Sequence, residues 1–376
     1  NKTTHSRFRP CGLSLLTFCA VLLAVCAVST RAQTTTVDGS RKDRHAVSED
    51  SEYKSPIQLA ISRDGNRLYV VCENTNEVLV LDPRKKKILG AVGVGEHPFG
   101  IAFSPDERYL FVSNRWDDNV SVVDTRTMQE VRTFPVGDDP HGLVTDPAGR
   151  HLYVTNLATD DISIIETEGF TEVKRLQAGT SPFGTALSSD GRYIYVSNQL
   201  SSPVPFRTPP VLELTVIDTD QQLVVDRREF FSTVIGQGVA ISPDDRLVVV
   251  ALELPKNLIP ETQIYQGWMV TSGIAIAEQR PGGRVAYLLL DEPNAYYADP
   301  FGVTFSPDGR YLYVSSSGAD IVSVLDMDRV RSVLAVQDGR IGASDEDLRR
   351  FARHLALSAE YVVARIPTES NPKGLV

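Results

Sequence analysis

The sequence predicts an all-β fold: a β-propeller of four-stranded antiparallel blades, with six blades and the first strand of a seventh present. Three observations predict it. A strand–turn–strand unit recurs along residues 54–376. Its copies keep a regular interval until insertions stretch the later ones. Each copy holds short strand signals that cannot bury both faces alone, so neighbouring copies must stack.

The unit reads HPFGIAFSPDERYLFVSN at 97–114, DPHGLVTDPAGRHLYVTN at 139–156, SPFGTALSSDGRYIYVSN at 181–198 and DPFGVTFSPDGRYLYVSS at 299–316. Two copies have drifted, SPIQLAISRDGNRLYVVC at 55–72 and GQGVAISPDDRLVVVA at 236–251. A last one, NPKGLV, occupies 371–376. With Gln58 as the first equivalent, the marker falls at 58, 100, 142, 184, 238, 302 and 374. The intervals are 42, 42, 42, 54, 64 and 72, so blades 1–3 are minimal and blades 4–6 carry insertions.

Residues 1–32 read as a secretory signal peptide. Arg7 and Arg9 precede an apolar run from Cys11 to Val28, and small and polar residues lead to Ala32. An uncleaved anchor is the alternative, because an apolar run of about 18 residues is borderline for spanning a bilayer. Residues 33–53 form a polar linker. The propeller follows at 54–376, truncated in its seventh blade, so a longer native chain and an open ring are expected.

Within each blade the first strand opens at the marker, a glycine at 100, 142, 184, 238 and 302, which suits a strand crowded near the axis. A tight turn follows, as in Ser-Pro-Asp-Gly (306–309) and Asp-Pro-Ala-Gly (146–149). A β-branched and aromatic second strand comes next, then a third such as NVSVVDT (119–125) or DISIIET (161–167). EVRTFPV (130–136) and EVKRLQA (172–178) exemplify the fourth. Insertions 199–210 and 252–271 lie between second and third strands, and insertion 327–358 between third and fourth. The last predicts a helix with Ser344 as N-cap, acids at 345–347 and an apolar stripe of Leu348, Phe351, Ala352 and Leu355. That helix is expected to pack on the opposite face of the ring or on something beyond it.

The chain has a net charge of −10, and −14 once residues 1–32 are set aside. This argues against nucleic acid or anionic membrane as a partner. Cys72 is the only cysteine outside the leader and reads as a buried hydrophobe. No Gly-rich phosphate loop, G-x-S-x-G, HExxH or CxxCH occurs. Chemistry on this scaffold would have to come from scattered rim residues.

The stretches LFVSN, LYVTN and IYVSN, each after an SPDGR-like turn and before a V-D-T strand, resemble those of YVTN-family β-propellers. The resemblance covers about 55–376 and implies a ring that is usually seven-bladed and extracytoplasmic. YQGWMVTSGIAIAE and DEDLRRFARHLAL are in addition similar to propellers preceding a di-haem cytochrome c peroxidase-like domain. That implies a haem c cofactor in a C-terminal domain missing from this chain, and none within it.

Ligands of propellers gather where first strands begin and second-to-third loops emerge. There the sequence offers His97, Phe99, His141, Phe183, Gln237 and Phe301 around the channel mouth. Asn114, Arg115, Trp116, Asn156 and Asn198 follow on the loops, with Tyr265 and Trp268 overhanging from blade 5. His97 and His141 occupy near-matching positions but lack further ligands, so no metal site is assigned. The phenylalanines fit channel packing, the asparagines fit loop capping, and the repeated Asp124, Asp218 and Asp326 fit turn formation. No catalytic residue is assigned. The expected function is a secreted or periplasmic binding and scaffold module docking a redox protein or its own haem domain. A lactonase is the alternative, for which only His97, His141 and Arg115 offer themselves; a cell-surface structural or adhesion protein is a third.

Overall fold

The computed structural model describes residues 54–205, 208–255, 270–280 and 282–376. It contains six four-stranded antiparallel sheets, each with its strands in sequence order. The blades span 56–93, 98–135, 140–177, 182–231, 235–289 and 300–367.

Local chemistry sets where each inner strand begins. Pro56, Pro98, Pro140, Pro182 and Pro300 start five of them. Each follows a residue in the left-handed region: Ser55, His97, Asp139, Ser181 and Asp299, with φ between 49° and 56°. The same pair recurs as Asn371 (φ 63°) and Pro372. Downstream, the Gly374 N–H donates to the Ile57 carbonyl at 3.0 Å, and Ser315 Oγ to the Lys373 carbonyl at 2.6 Å. Leu375 packs with blade 6 beside Tyr313 and Val324, and Val376 with blade 1 beside Leu68 and Leu79. Residues 371–376 therefore stand in the inner position of a seventh blade.

The turn after the inner strand is held by a hydroxyl–carboxylate clip. Ser104 Oγ donates to Asp106 at 2.6 Å and accepts the Tyr109 N–H at 2.9 Å. The residue leaving the turn is left-handed, whether glycine at Gly309 (φ 67°) or Glu107 (φ 55°). Second and third strands are buried on both faces, whereas outer strands expose Leu89, Val131 and Val173. The ladder between third and outer strands shifts register at the same point in five blades, as between Val122 and Val123. Such bulges twist an edge away from unwanted pairing.

Blade faces pack against one another. Leu212, Leu214 and Phe230 meet Val248 and Val250 between blades 4 and 5. Ile274, Ile276 and Leu288 meet Leu312, Val314 and Leu325 between blades 5 and 6. The blade 6 insertion extends that second core with α1 (Met327–Val333), α2 (Asp345–Phe351) and α3 (Ser358–Tyr361). Ser344 caps α2 by accepting the Asp347 N–H, as expected. Leu348 and Phe351 join the core, but Leu355 falls in a separate 3-10 turn beyond the helix. The sequence reading missed α1, which Asp326 caps through the Asp328 and Arg329 N–H groups. Asp326 is thus a helix cap where a turn was expected.

Insertion 252–271 is narrower than its sequence bounds. Its flanking strands run on to Pro255 and resume at Val270, with Glu253 opposite Ser272 and Pro255 opposite Val270. Among the described residues no helix is long and apolar enough to cross a membrane.

Candidate functional site

The residue before each marker faces the axis on one end of the ring. Going round, these are Ile57, Phe99, His141, Phe183, Gln237, Phe301 and Lys373. Four of them converge. Phe99 lies 5.3 Å from Phe183 and 6.4 Å from Phe301, ring centre to ring centre, and Phe183 lies 5.7 Å from Phe301. The His141 ring is 4.4 Å from Phe99 and 5.1 Å from Phe183. All four are buried, so they form an aromatic plug rather than an open cage. Lys373 Nζ sits 5.3 Å from the Phe301 ring centre.

Inner strands are tied blade to blade by hydroxyls. Ser113 Oγ accepts the Gly100 N–H at 2.8 Å and donates to the His141 carbonyl of the next blade at 2.7 Å. Thr155 reaches the Phe183 carbonyl at 3.1 Å, and Ser197 reaches that of Gln237. The marker must be glycine here, because a Cβ at Gly100 would overlap the His141 carbonyl oxygen.

One side of the mouth holds an arginine between two carboxylates. Arg115 Nε donates to Asp139 Oδ1 at 2.7 Å, Nη1 donates to Glu73 Oε1 at 3.2 Å, and the guanidinium lies 5.8 Å from the Phe99 ring centre. His141 Nδ1 lies 3.0 Å from the Asp139 carbonyl, which can only accept, so Nδ1 carries the proton and Nε2 is the free base. Burial, with Arg115 adding to it, pushes His141 down to about 4 and keeps it neutral. Above this group His97 stacks on Trp116 at 3.4 Å, and Trp116 is 64% exposed. Glu73 lies 3.7 Å from His97, the Glu96 carbonyl accepts the Trp116 N–H, and the Asp117 carboxylate accepts the Glu96 N–H. The result is a flat aromatic spot in an acidic rim.

Across the mouth, at blades 5 and 6, the chemistry differs. Gln237 Nε2 donates to Asp299 Oδ1 at 2.6 Å, and Ser317 Oγ donates to Asp299 Oδ2. Gln237 is 5% exposed, yet its buried Oε1 has no partner among the described residues. Burial, and secondarily the charges of Asp299 and Asp291, hold the Glu253 carboxyl above its ordinary range.

The structure gathers Phe99, His141, Phe183, Gln237 and Phe301 at the mouth, with Arg115, His97 and Trp116 on the adjoining loops. His97 and His141 join different contacts, one with Trp116 and Glu73, the other in the plug. Among the described residues no cluster of three His, Cys, Asp or Glu suits a metal ion. Asn114, Asn156 and Asn198 are fully buried. Asn156 accepts the Gly137 N–H and donates to Asp161 and Ser163, joining three segments of its blade. Tyr265 and Trp268 lie outside the described residues. Burial pushes the Cys72 thiol up to about 12, as fits a packing residue.

Sequence reasoning missed Lys373, Glu73, Asp139, Glu253 and Asp299. Lys373 was within reach, since NPKG aligns with DPFG and HPFG. Asp139 and Asp299 open their repeat units, but nothing in the repeat says what the four carboxylates meet, because that depends on which blade faces which.

Residues 52–181 match the model of the family described as "Lactonase, 7-bladed beta-propeller". The hydrazine synthase subunit beta of Kuenenia stuttgartiensis is 32% identical over 159 residues, which cover 42% of this chain and 40% of that protein. The matched sequence thus spans less than half of that relative. In structure, a chain of Kuenenia stuttgartiensis hydrazine synthase superposes with a TM-score of 0.80 at 29% identity, covering 89% of this chain and 92% of that one. The periplasmic gluconolactonase of Pseudomonas aeruginosa superposes with a TM-score of 0.60 at 16% identity, over 85% of this chain and 86% of its own. A putative 6-phosphogluconolactonase of Bacteroides fragilis gives 0.55 at 14%, over 72% and 80%. These last two share the fold alone. The chain is an all-β propeller similar in sequence and structure to a hydrazine synthase subunit, with residues 52–181 matching a lactonase-type propeller model.

Proposed function

We propose that this chain is an extracytoplasmic, non-catalytic subunit of a protein complex, docking a redox protein that carries c-type haem. One observation carries the proposal: the likeness to hydrazine synthase holds over nearly the whole ring, and the matched relative is named as a subunit. The mouth supports it. Its axis is filled by the aromatic plug, while Trp116 stands exposed amid acidic loops. An exposed tryptophan with a charged surround suits a partner with a basic face. The signal-peptide layout of residues 1–32 supports export. The test is to purify the protein from its native source and measure complex mass and haem absorbance. A haem-bearing complex that Trp116→Ala weakens is the expected result. A free ring without haem refutes the proposal.

A lactonase is the second reading. It draws on the family match at 52–181 and on the grouping of neutral His141, Arg115 and Glu73. Turnover of a sugar lactone by the purified protein, lost in His141→Phe, would establish it.

A further inference from the structure

We propose that the junction between blades 5 and 6 binds a hard divalent cation through Glu253, Asp299 and Gln237. The inference is independent of the docking reading. Strand register carries the first step. Pro98 faces Asn114 in blade 2 and Gly236 faces Leu252 in blade 5, so Glu253 stands where Arg115 stands. Asp299 and Asp139 are likewise equivalent, each left-handed and followed by the proline that opens an inner strand. Between blades 2 and 3 this geometry brings a guanidinium to a carboxylate at 2.7 Å. Between blades 5 and 6 it sets the Glu253 carboxyl on the Asp299 backbone N–H, close to the Asp299 carboxylate, and neither acid has an ion-pair partner among the described residues.

The second step is the buried amide. Gln237 donates Nε2 to Asp299, and its own carbonyl oxygen Oε1 is buried with no donor among the described residues. The Gln237 oxygen is the one acceptor left unsatisfied, and two acids without a counter-charge stand close to it, so a cation would offset both costs. Ser317 donates to the other Asp299 oxygen and fixes that carboxylate from behind. The donors are all oxygen, which favours Ca2+ over softer metals, and Ca2+ tolerates an irregular set completed by water. Three protein donors give a weak site, with Kd roughly 10⁻⁴–10⁻³ M.

The test titrates Ca2+ into the purified protein by calorimetry and by thermal unfolding, for the wild type, Glu253→Gln and Asp299→Asn. The expected result is one saturable site that raises the melting temperature. Glu253→Gln should weaken it at least tenfold, while melting higher than the wild type in the absence of Ca2+. Glu168→Gln, an exposed acid on the opposite face, should bind as the wild type does. Absence of saturable binding, or undiminished binding in both site variants, overturns the proposal. If Asp299→Asn does not fold, Glu253→Gln, which keeps the side-chain size, decides alone.

Discussion

The junction between blades 2 and 3 and the junction between blades 5 and 6 are built from the same positions with opposite chemistry. At the first, Ser113 ties two inner strands and Arg115 neutralises Asp139. At the second, Ala251 replaces the hydroxyl and Glu253 replaces the arginine. The second is held instead by the larger apolar core that α1 and α2 extend, together with the Gln237–Asp299 bond. Equal topology therefore does not mean equal forces. The polar tie is kept by Ser197 and Ser315 in blades 4 and 6, so it is the blade 5 and 6 junction in particular that does without it.

The largest expected effect tests what both junctions share. Gly100→Ala drives a Cβ into the His141 carbonyl and should cost more than about 3 kcal/mol, as measured by urea unfolding. Gly65→Ala, in open space but left-handed, should cost only about 1 kcal/mol. Equal losses would mean that the close approach of strands is not what demands glycine.

Acid should separate the two junctions next. His141 is pushed from 6.5 down to about 4 in the folded protein, so the unfolded chain takes up its proton first. Its contribution, roughly 3 kcal/mol, is complete above the unfolded value and lost as pH falls towards 4. His141→Phe should flatten that loss. Glu253 has the opposite sense, because its folded value is raised. It favours the fold at low pH and loses that contribution as pH rises through its folded value, so Glu253→Gln should make the protein more stable at neutral pH. An unchanged pH profile in either variant would remove the corresponding account.

Arg115→Ala should cost about 2 kcal/mol, less than for a fully buried pair, because it strands two carboxylates that water partly reaches. Thermal unfolding together with Asp139→Asn in a double-mutant cycle would read the coupling. The smallest change concerns the hydroxyl. Ser113→Ala should cost about 1–2 kcal/mol by leaving a buried N–H and carbonyl short of partners. Ala251→Ser, which offers the missing tie between blades 5 and 6, should gain less than about 1 kcal/mol. A gain there equal to the loss at Ser113 would show that the two junctions are interchangeable.

Much of the ring was legible because its repeat states the same physics several times. Each Pro–X–Gly start, hydroxyl-clipped turn and β-branched strand is a local event, fixed by neighbours in the chain. Ser344 as a cap was legible for the same reason. The first helix of the blade 6 insertion was not: Met327 and Val330 lay in the insertion without an assigned element, and what holds them is the blade 5 and 6 core that buries them. The extra length of the blade 5 strands was also hidden, since their pairing is decided by the partner strand.

The sequence by itself determined the fold class, the number of full sheets and the residues that face the axis, because a two-residue strand period and a repeated marker leave little choice. Only the tertiary structure decided what those residues do there. It closed the channel with Phe99, Phe183 and Phe301, made His141 a neutral base, gave Arg115 its carboxylates and left Glu253 and Asp299 without a cation among the described residues. The reason is that charge compensation and burial depend on distances across blades, between residues far apart along the chain, where no local pattern reports them.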